Sequence, residues 1–182
     1  MDKWLKTGEK VVYKDRFREM LIRDYTMPDG NEAHFTIFGN HLGTDAGVIV
    51  LAIKEDGEIV VERTYRPGFD DISLEIVAGG IDRGEEPLNA AKRELLEETG
   101  YSSDEWHYMG AFFIDPYAVQ RSHYFVAKNC QKTAEPDLDD SEFIEVLSMA
   151  PSEFEGLIIK AATPMSMDII GGFMLAKAHG LV

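Results

Sequence analysis

Three glutamates, Glu94, Glu97 and Glu98, fall at i, i+3 and i+4 in a stretch that reads as a helix. That helix runs from Pro87 to Thr99, with proline in its first turn and Gly100 beyond its last residue. At about 100° per residue, Leu88, Ala91, Leu95 and Thr99 form a core-facing stripe, and the three carboxylates converge on an adjacent one. Like charges at this spacing repel by roughly a few tenths of a kcal/mol per pair. They also occupy the last turns, where the helix dipole favours cations by roughly 0.3–1 kcal/mol each. Two broken local rules at one place mark a candidate functional site. A divalent cation is the natural compensation. Mg²⁺ takes oxygen ligands and is typically shared between one or two carboxylates and substrate phosphates, so the chemistry expected here is phosphate chemistry.

The helix alone is also consistent with a solvated acidic face in which Arg93 pairs with Glu97. The flanking residues favour the functional reading. Gly79-Gly80 ends a strand and lets backbone approach a ligand closely, and Gly84-Glu85 forms a turn before the helix. The elements around this strand–loop–helix unit follow from local pattern. An N-terminal ribbon turns at Pro28-Asp29-Gly30 and returns over 34–38. A hairpin pairs 48–53 with 58–64 across Lys54-Glu55-Asp56-Gly57. Strands follow at 73–78, 106–114, 122–127 and 143–147, then helices at 152–159 and 165–179, the last weakened by Gly171-Gly172. Strands with helices inserted between and after them imply an α+β layered domain.

The chain has 182 residues, 45% of them apolar and 28% charged, as expected of a globular protein. Its 18 Lys+Arg and 33 Asp+Glu give a net charge of −15, which disfavours nucleic-acid binding. An anionic substrate would then need metal ions or a few placed arginines. The first residues have no apolar core of the kind a signal peptide needs, and no run is long enough to span a bilayer. The single cysteine, Cys130, fits a buried structural role and a reducing, cytoplasmic setting.

Residues 79–101 resemble the signature of the Nudix hydrolases: Gly, five residues, Glu, seven residues, Arg-Glu, an aliphatic residue, any residue, Glu-Glu, any residue, Gly, an aliphatic residue. Gly79, Glu85, Arg93-Glu94, Leu95, Glu97-Glu98 and Gly100 match, and only Tyr101 departs from the aliphatic choice. The resemblance implies a Nudix-type α/β/α sandwich with a mixed sheet over 43–182, preceded by a small antiparallel β ribbon over 1–42. It also implies Mg²⁺, or Mn²⁺, held by Glu94 and Glu98, with Glu97 a further ligand and the Ala78 carbonyl a backbone ligand. Arg93 would orient Glu85 or Glu97.

Within the family the chain is similar to the ADP-ribose and nucleoside-diphosphate-sugar pyrophosphatases. The similarity lies in its β-rich extension, in Tyr65-Arg66-Pro67 ending a strand, in Glu75 ahead of Ala78-Gly79, and in Pro116. Arg66 would contact the diphosphate or the terminal group, unless it forms a surface ion pair. Tyr117 stands where those relatives have glycine, and Arg121 where they have a glutamate that would bind sugar hydroxyls. The general base is expected in the acidic loop 135–142, with Glu142 first and Asp140 second, unless that loop is merely solvated acid. Phe17, Tyr25 and Phe35 could stack on a base or fill the ribbon's core. The resemblance implies a homodimer formed through the ribbon and a nucleotide-sugar substrate. Nucleoside triphosphates or dinucleoside polyphosphates are the alternative substrates, and a non-catalytic nucleotide sensor is the alternative class.

Overall fold

The computed structural model describes residues 1–15, 18–39, 43–139 and 142–182. Phe17 and Asp140 lie outside the described residues. The chain divides into two compact units, one of residues 1–46 and 112–122, the other of 47–111 and 123–182.

In the first unit, β1 (Leu5–Lys14), β2 (Glu19–Thr26) and β3 (Glu32–Gly39) form an antiparallel sheet in that order. The turn expected at Pro28-Asp29-Gly30 is present, with Gly30 at φ 86°. Segment 112–122 joins this unit: Phe38 N–H donates to Tyr117 O at 2.8 Å, and Val119 N–H to Phe38 O at 2.9 Å. Trp4, Tyr25 and Phe35 form an aromatic cluster, and Tyr117 stacks on Phe35 at 6.0 Å. A three-stranded sheet with one apolar face needs such packing to be stable.

The second unit carries the rest. Strands β4 (Asp45–Lys54), β5 (Ile59–Arg66), β6 (Asp71–Glu75), β7 (Val77–Gly80), β8 (Tyr101–Ser102), β9 (Glu105–Phe113), β10 (Arg121–Lys132) and β11 (Ile144–Met149) form one sheet. Its path is β11-β5-β4-β10-β8, with β6 on β5, β7 on β4 and β9 on β10. The helices are α1 (Pro87–Thr99), α2 (Pro151–Lys160) and α3 (Met167–Ala178). Side chains alternate across a strand, and β4 and β5 show it. Ile49, Leu51, Ile53, Ile59 and Val61 pack with Phe154 of α2 and Phe173 of α3. Val48, Val50, Ala52 and Val60 pack with Ala90, Ala91 and Leu95 of α1. Helices on both faces of the sheet give the α/β/α layering expected.

Two expectations are corrected. The single strand expected over 73–78 is two, because the chain changes partner at Ile76: β6 pairs with β5, and β7 with β4. Leu88, expected on the core stripe of α1, is 37% exposed, while Ala90 is fully buried. The buried face therefore runs through Ala90, Ala91, Leu95 and Glu98, which carries Glu98 into the flank of the core. Cys130 is 3% exposed and its Sγ lies 3.4 Å from Ala127 O, and burial pushes the thiol up to about 11.

Candidate active site

β7 and α1 bring the signature residues together. Helix α1 begins at Pro87, whose missing N–H costs nothing at a helix start. It ends at Gly100, which takes the left-handed conformation (φ 73°) and donates its N–H to Leu96 O at 2.8 Å. Gly84, at φ +84°, sits in the loop before the helix, where Glu85 N–H donates to Asp82 O at 3.0 Å.

Arg93 is the hub of the acidic face. Its Nε and Nη2 donate to the two oxygens of Glu85 at 3.1 and 2.9 Å. Its Nη1 donates to Glu94 at 2.9 Å and to Glu97 at 3.1 Å, and Nη2 also reaches Gly80 O at 2.9 Å. Both candidate partners of Arg93 are thus engaged, together with Glu94. The guanidinium holds the Glu85 carboxyl below the usual carboxylate range, and Glu85 in turn raises the arginine. Glu94 behaves oppositely. Its burial outweighs the attraction of Arg93, so its carboxyl is raised.

Glu98 is 5% exposed and its Oε2 has no hydrogen-bond partner. Burial raises its carboxyl well above the ordinary range, with the like charges of Glu62 and Glu94 adding to the effect, and a hydrogen bond from the Ala78 backbone offsets only part. Glu98 and Ala78 line a cavity of about 350 Å³ with Tyr65, Arg66, Glu142 and Phe143. Arg66 is paired within the site: its Nε and Nη2 grip Glu75 at 2.8 and 2.6 Å, a fork on a carboxylate that is nearly buried. Glu142 stands at the rim, where its carboxylate accepts Asp139 N–H at 3.1 Å.

Among the described residues no three His, Cys, Asp or Glu side chains are arranged to hold a metal ion. Glu94 and Glu97 are turned towards Arg93 instead. The donor chemistry nevertheless suits a hard divalent cation: all donors are oxygens, one buried carboxylate oxygen is unpartnered, and a second carboxylate lies against Gly79.

The remaining expected residues lie in the first unit. Pro116 lines a cleft of about 310 Å³ with Trp4, Tyr25, Phe35, Ile37 and Tyr117. Arg121 pairs with Asp45 through Nε and Nη2. Sequence reasoning missed Glu62, which is 1% exposed on β5. Its signal was legible: an acid directly after Ile59-Val60-Val61, in the buried first half of the strand.

Residues 43–166 match the NUDIX domain. The chain is 31% identical to the ADP-ribose pyrophosphatase of Bacillus subtilis, over 78% of this chain and 76% of that protein. It is 30% identical to the methanol dehydrogenase activator of Bacillus methanolicus, over 84% of this chain and 80% of that one. In fold it is similar to a crystal structure of an ADP compounds hydrolase, with a TM-score of 0.83 at 20% identity, covering 100% of this chain and 98% of that one. The chain belongs to the NUDIX family and is a Nudix hydrolase, an enzyme class that works with a divalent cation. No helix among the described residues is long and apolar enough to cross a membrane.

Proposed function

We propose that the chain hydrolyses the diphosphate linkage of an ADP-ribose-like nucleoside diphosphate sugar, giving a nucleoside monophosphate and a sugar phosphate. The observation that carries this reading is the cavity lined both by Glu98, a buried carboxylate with one unpartnered oxygen, and by Arg66. A cation-binding acid and an anion-binding base in one cleft suit a diphosphate. The resemblance to the Bacillus subtilis ADP-ribose pyrophosphatase supports the substrate class.

The oxygen of water forms the new bond to one phosphorus, and the bridging P–O bond breaks, so that the bridging oxygen leaves with the other phosphate. Glu142 accepts the proton of the attacking water, a role for which Asp140 is the second candidate. Glu94, Glu97, Glu98 and the Ala78 carbonyl would hold the cation, Mg²⁺ or Mn²⁺, and Arg93 fixes Glu94 and Glu97. When bound, the cation neutralises the diphosphate charge and makes water a better nucleophile. Gly79 leaves room for Glu94, and Arg66, kept in place by Glu75, faces the diphosphate or the terminal group. Pro116 and Arg121 remain candidate substrate contacts, as does Phe17, which lies outside the described residues. The protein acts in the cytoplasm, for which the lone buried thiol Cys130 speaks. It acts as a homodimer through the N-terminal sheet, whose edge strand β1 exposes Leu5, Val11, Val12 and Tyr13.

The test is phosphate release, coupled to a phosphatase, across ADP-ribose, GDP-mannose, UDP-glucose, diadenosine polyphosphates and nucleoside triphosphates, with Mg²⁺ and with EDTA. Metal-dependent turnover of a diphosphate sugar is expected. Turnover confined to triphosphates overturns the substrate class, and binding of sugars with no turnover overturns the activity.

A further inference from the structure

Glu62 is an acid where the strand calls for a hydrocarbon. The residues before it, Ile59, Val60 and Val61, are all fully buried. Alternation along β5 sends Ile59 and Val61 to the α2–α3 side and Val60 to the α1 side. The same period of two puts Glu62 on the α1 side with Val60, Thr64 and Arg66, and the last two line the cavity that holds Glu98. Glu62 is therefore one pleat deeper than the cavity wall, on the face of β5 that packs against α1.

Its carboxylate is not satisfied there. Glu62 is 1% exposed and its Oε1 meets no donor. Among the described residues, the only other buried side-chain nitrogen or oxygen atom in that condition is Glu98 Oε2. Glu62 bears on Glu98 as a like charge, and Glu94 of the same helix bears on Glu62. Arg66, the cation on the same face of β5, commits its Nε and Nη2 to Glu75. An unpaired buried carboxylate is costly, and buried charges are as a rule paired or coordinated to metal. Two orphaned carboxylate oxygens, one from a strand and one from a helix, form a pair of oxygen donors that a bound cation would satisfy.

We propose that Glu62 is a further carboxylate of the divalent-cation centre, contributed by β5 and acting with Glu98 of α1. This rests on reading the site as that of a cation-dependent hydrolase. It extends the donor set from the helix to the sheet beneath it. The cation then offsets two buried acids rather than one, and joins β5 to α1.

The experiment is Mn²⁺ titration, by the loss of free-ion electron paramagnetic resonance signal, of the full-length wild type, Glu62→Gln and Glu98→Gln, with thermal melts with and without saturating Mn²⁺. Glu62→Gln is expected to weaken the tightest Mn²⁺ site about 10-fold or more. It should also shrink the rise in Tm that Mn²⁺ gives, while its melt without metal stays at or above that of the wild type. Glu62→Val carries the same expectation and suits the apolar strand, should the amide variant fail to fold. Mn²⁺ binding and Tm gain identical to the wild type in the Glu62 variants, with Glu98→Gln impaired, overturn this proposal alone. A wild type that binds no Mn²⁺ overturns the reading of the site as well.

Discussion

The carboxylate of Glu94 lies directly against Gly79. A Cβ at Gly79 would stand 2.0 Å from Glu94 Cδ and 2.3 Å from each of its oxygens. The glycine is thus required by a side chain reaching over from α1, whereas Gly84 and Gly100 are required by positive φ angles of +84° and +73°. The first glycine of the signature and its first helical glutamate are one structural unit: the strand end is bare so that the acid can occupy that space.

Gly79→Ala therefore perturbs the site more than the fold. The added methyl meets the far end of a flexible side chain, and Glu94 swings away. The expected result is a modest fall in Tm and a loss of kcat/KM of up to about 10²-fold, the scale of a misplaced catalytic group. Steady-state kinetics beside circular-dichroism melts check it. A large fall in Tm with unchanged kcat/KM would make the glycine's role one of folding only.

Glu142, the proposed general base, lines the cavity that Glu98 also lines. Its backbone N–H donates to Asp139 O at 2.9 Å and its carboxylate accepts Asp139 N–H, so two bonds to Asp139 hold it. Glu142→Gln keeps the shape and removes the base. It is expected to lower kcat by about 10²–10⁴-fold with little change in KM, as loss of a general base does. Asp140→Asn is the comparison. Full rate in the Glu142 variant with collapse in the Asp140 variant would transfer the role to Asp140.

How much of this was legible in the sequence varies from residue to residue. Pro87 and Gly100 define α1 by local chemistry, proline where a donor is not needed and glycine where φ is positive, and the helix has the bounds they set. The convergence of Glu94, Glu97 and Glu98 follows from helical periodicity, and Arg93 is the shared contact of the first two. What periodicity does not contain is depth. Nothing in the helix pattern distinguishes Glu98, at 5% exposed, from Glu97, because that depends on where β5 and β7 pass beneath α1. The break between β6 and β7 was hidden for the same reason, since a change of strand partner at Ile76 leaves an apolar run intact. Arg66 carried two readings, a diphosphate contact and an ion pair. Arg66 forks on Glu75, nine residues along the chain and nearly buried, and also lines the cavity with Glu98, so both readings stay open.

Glu85 supplies the pH dependence. Arg93 donates to both of its oxygens and Asp82 N–H donates to Oε2 at 3.0 Å, so its carboxyl is held below the ordinary range, chiefly by the arginine. A carboxyl whose folded pKa lies below its unfolded one adds stability that is fully present above the unfolded value, about 4.3 for glutamate. That stability is lost as pH falls through the folded value, because the unfolded chain takes up the proton first. Glu85→Gln removes the ionisation while keeping an acceptor. Its Tm should lie below that of the wild type by a constant margin from pH 6 to pH 8, and the margin should close as the pH is lowered from 5 towards 3. Thermal melts of both proteins in EDTA across that range measure the margin without any contribution from bound metal. A margin that stays constant down to pH 3 would mean that the loss comes from packing of the turn at 82–85, not from the charge on Glu85.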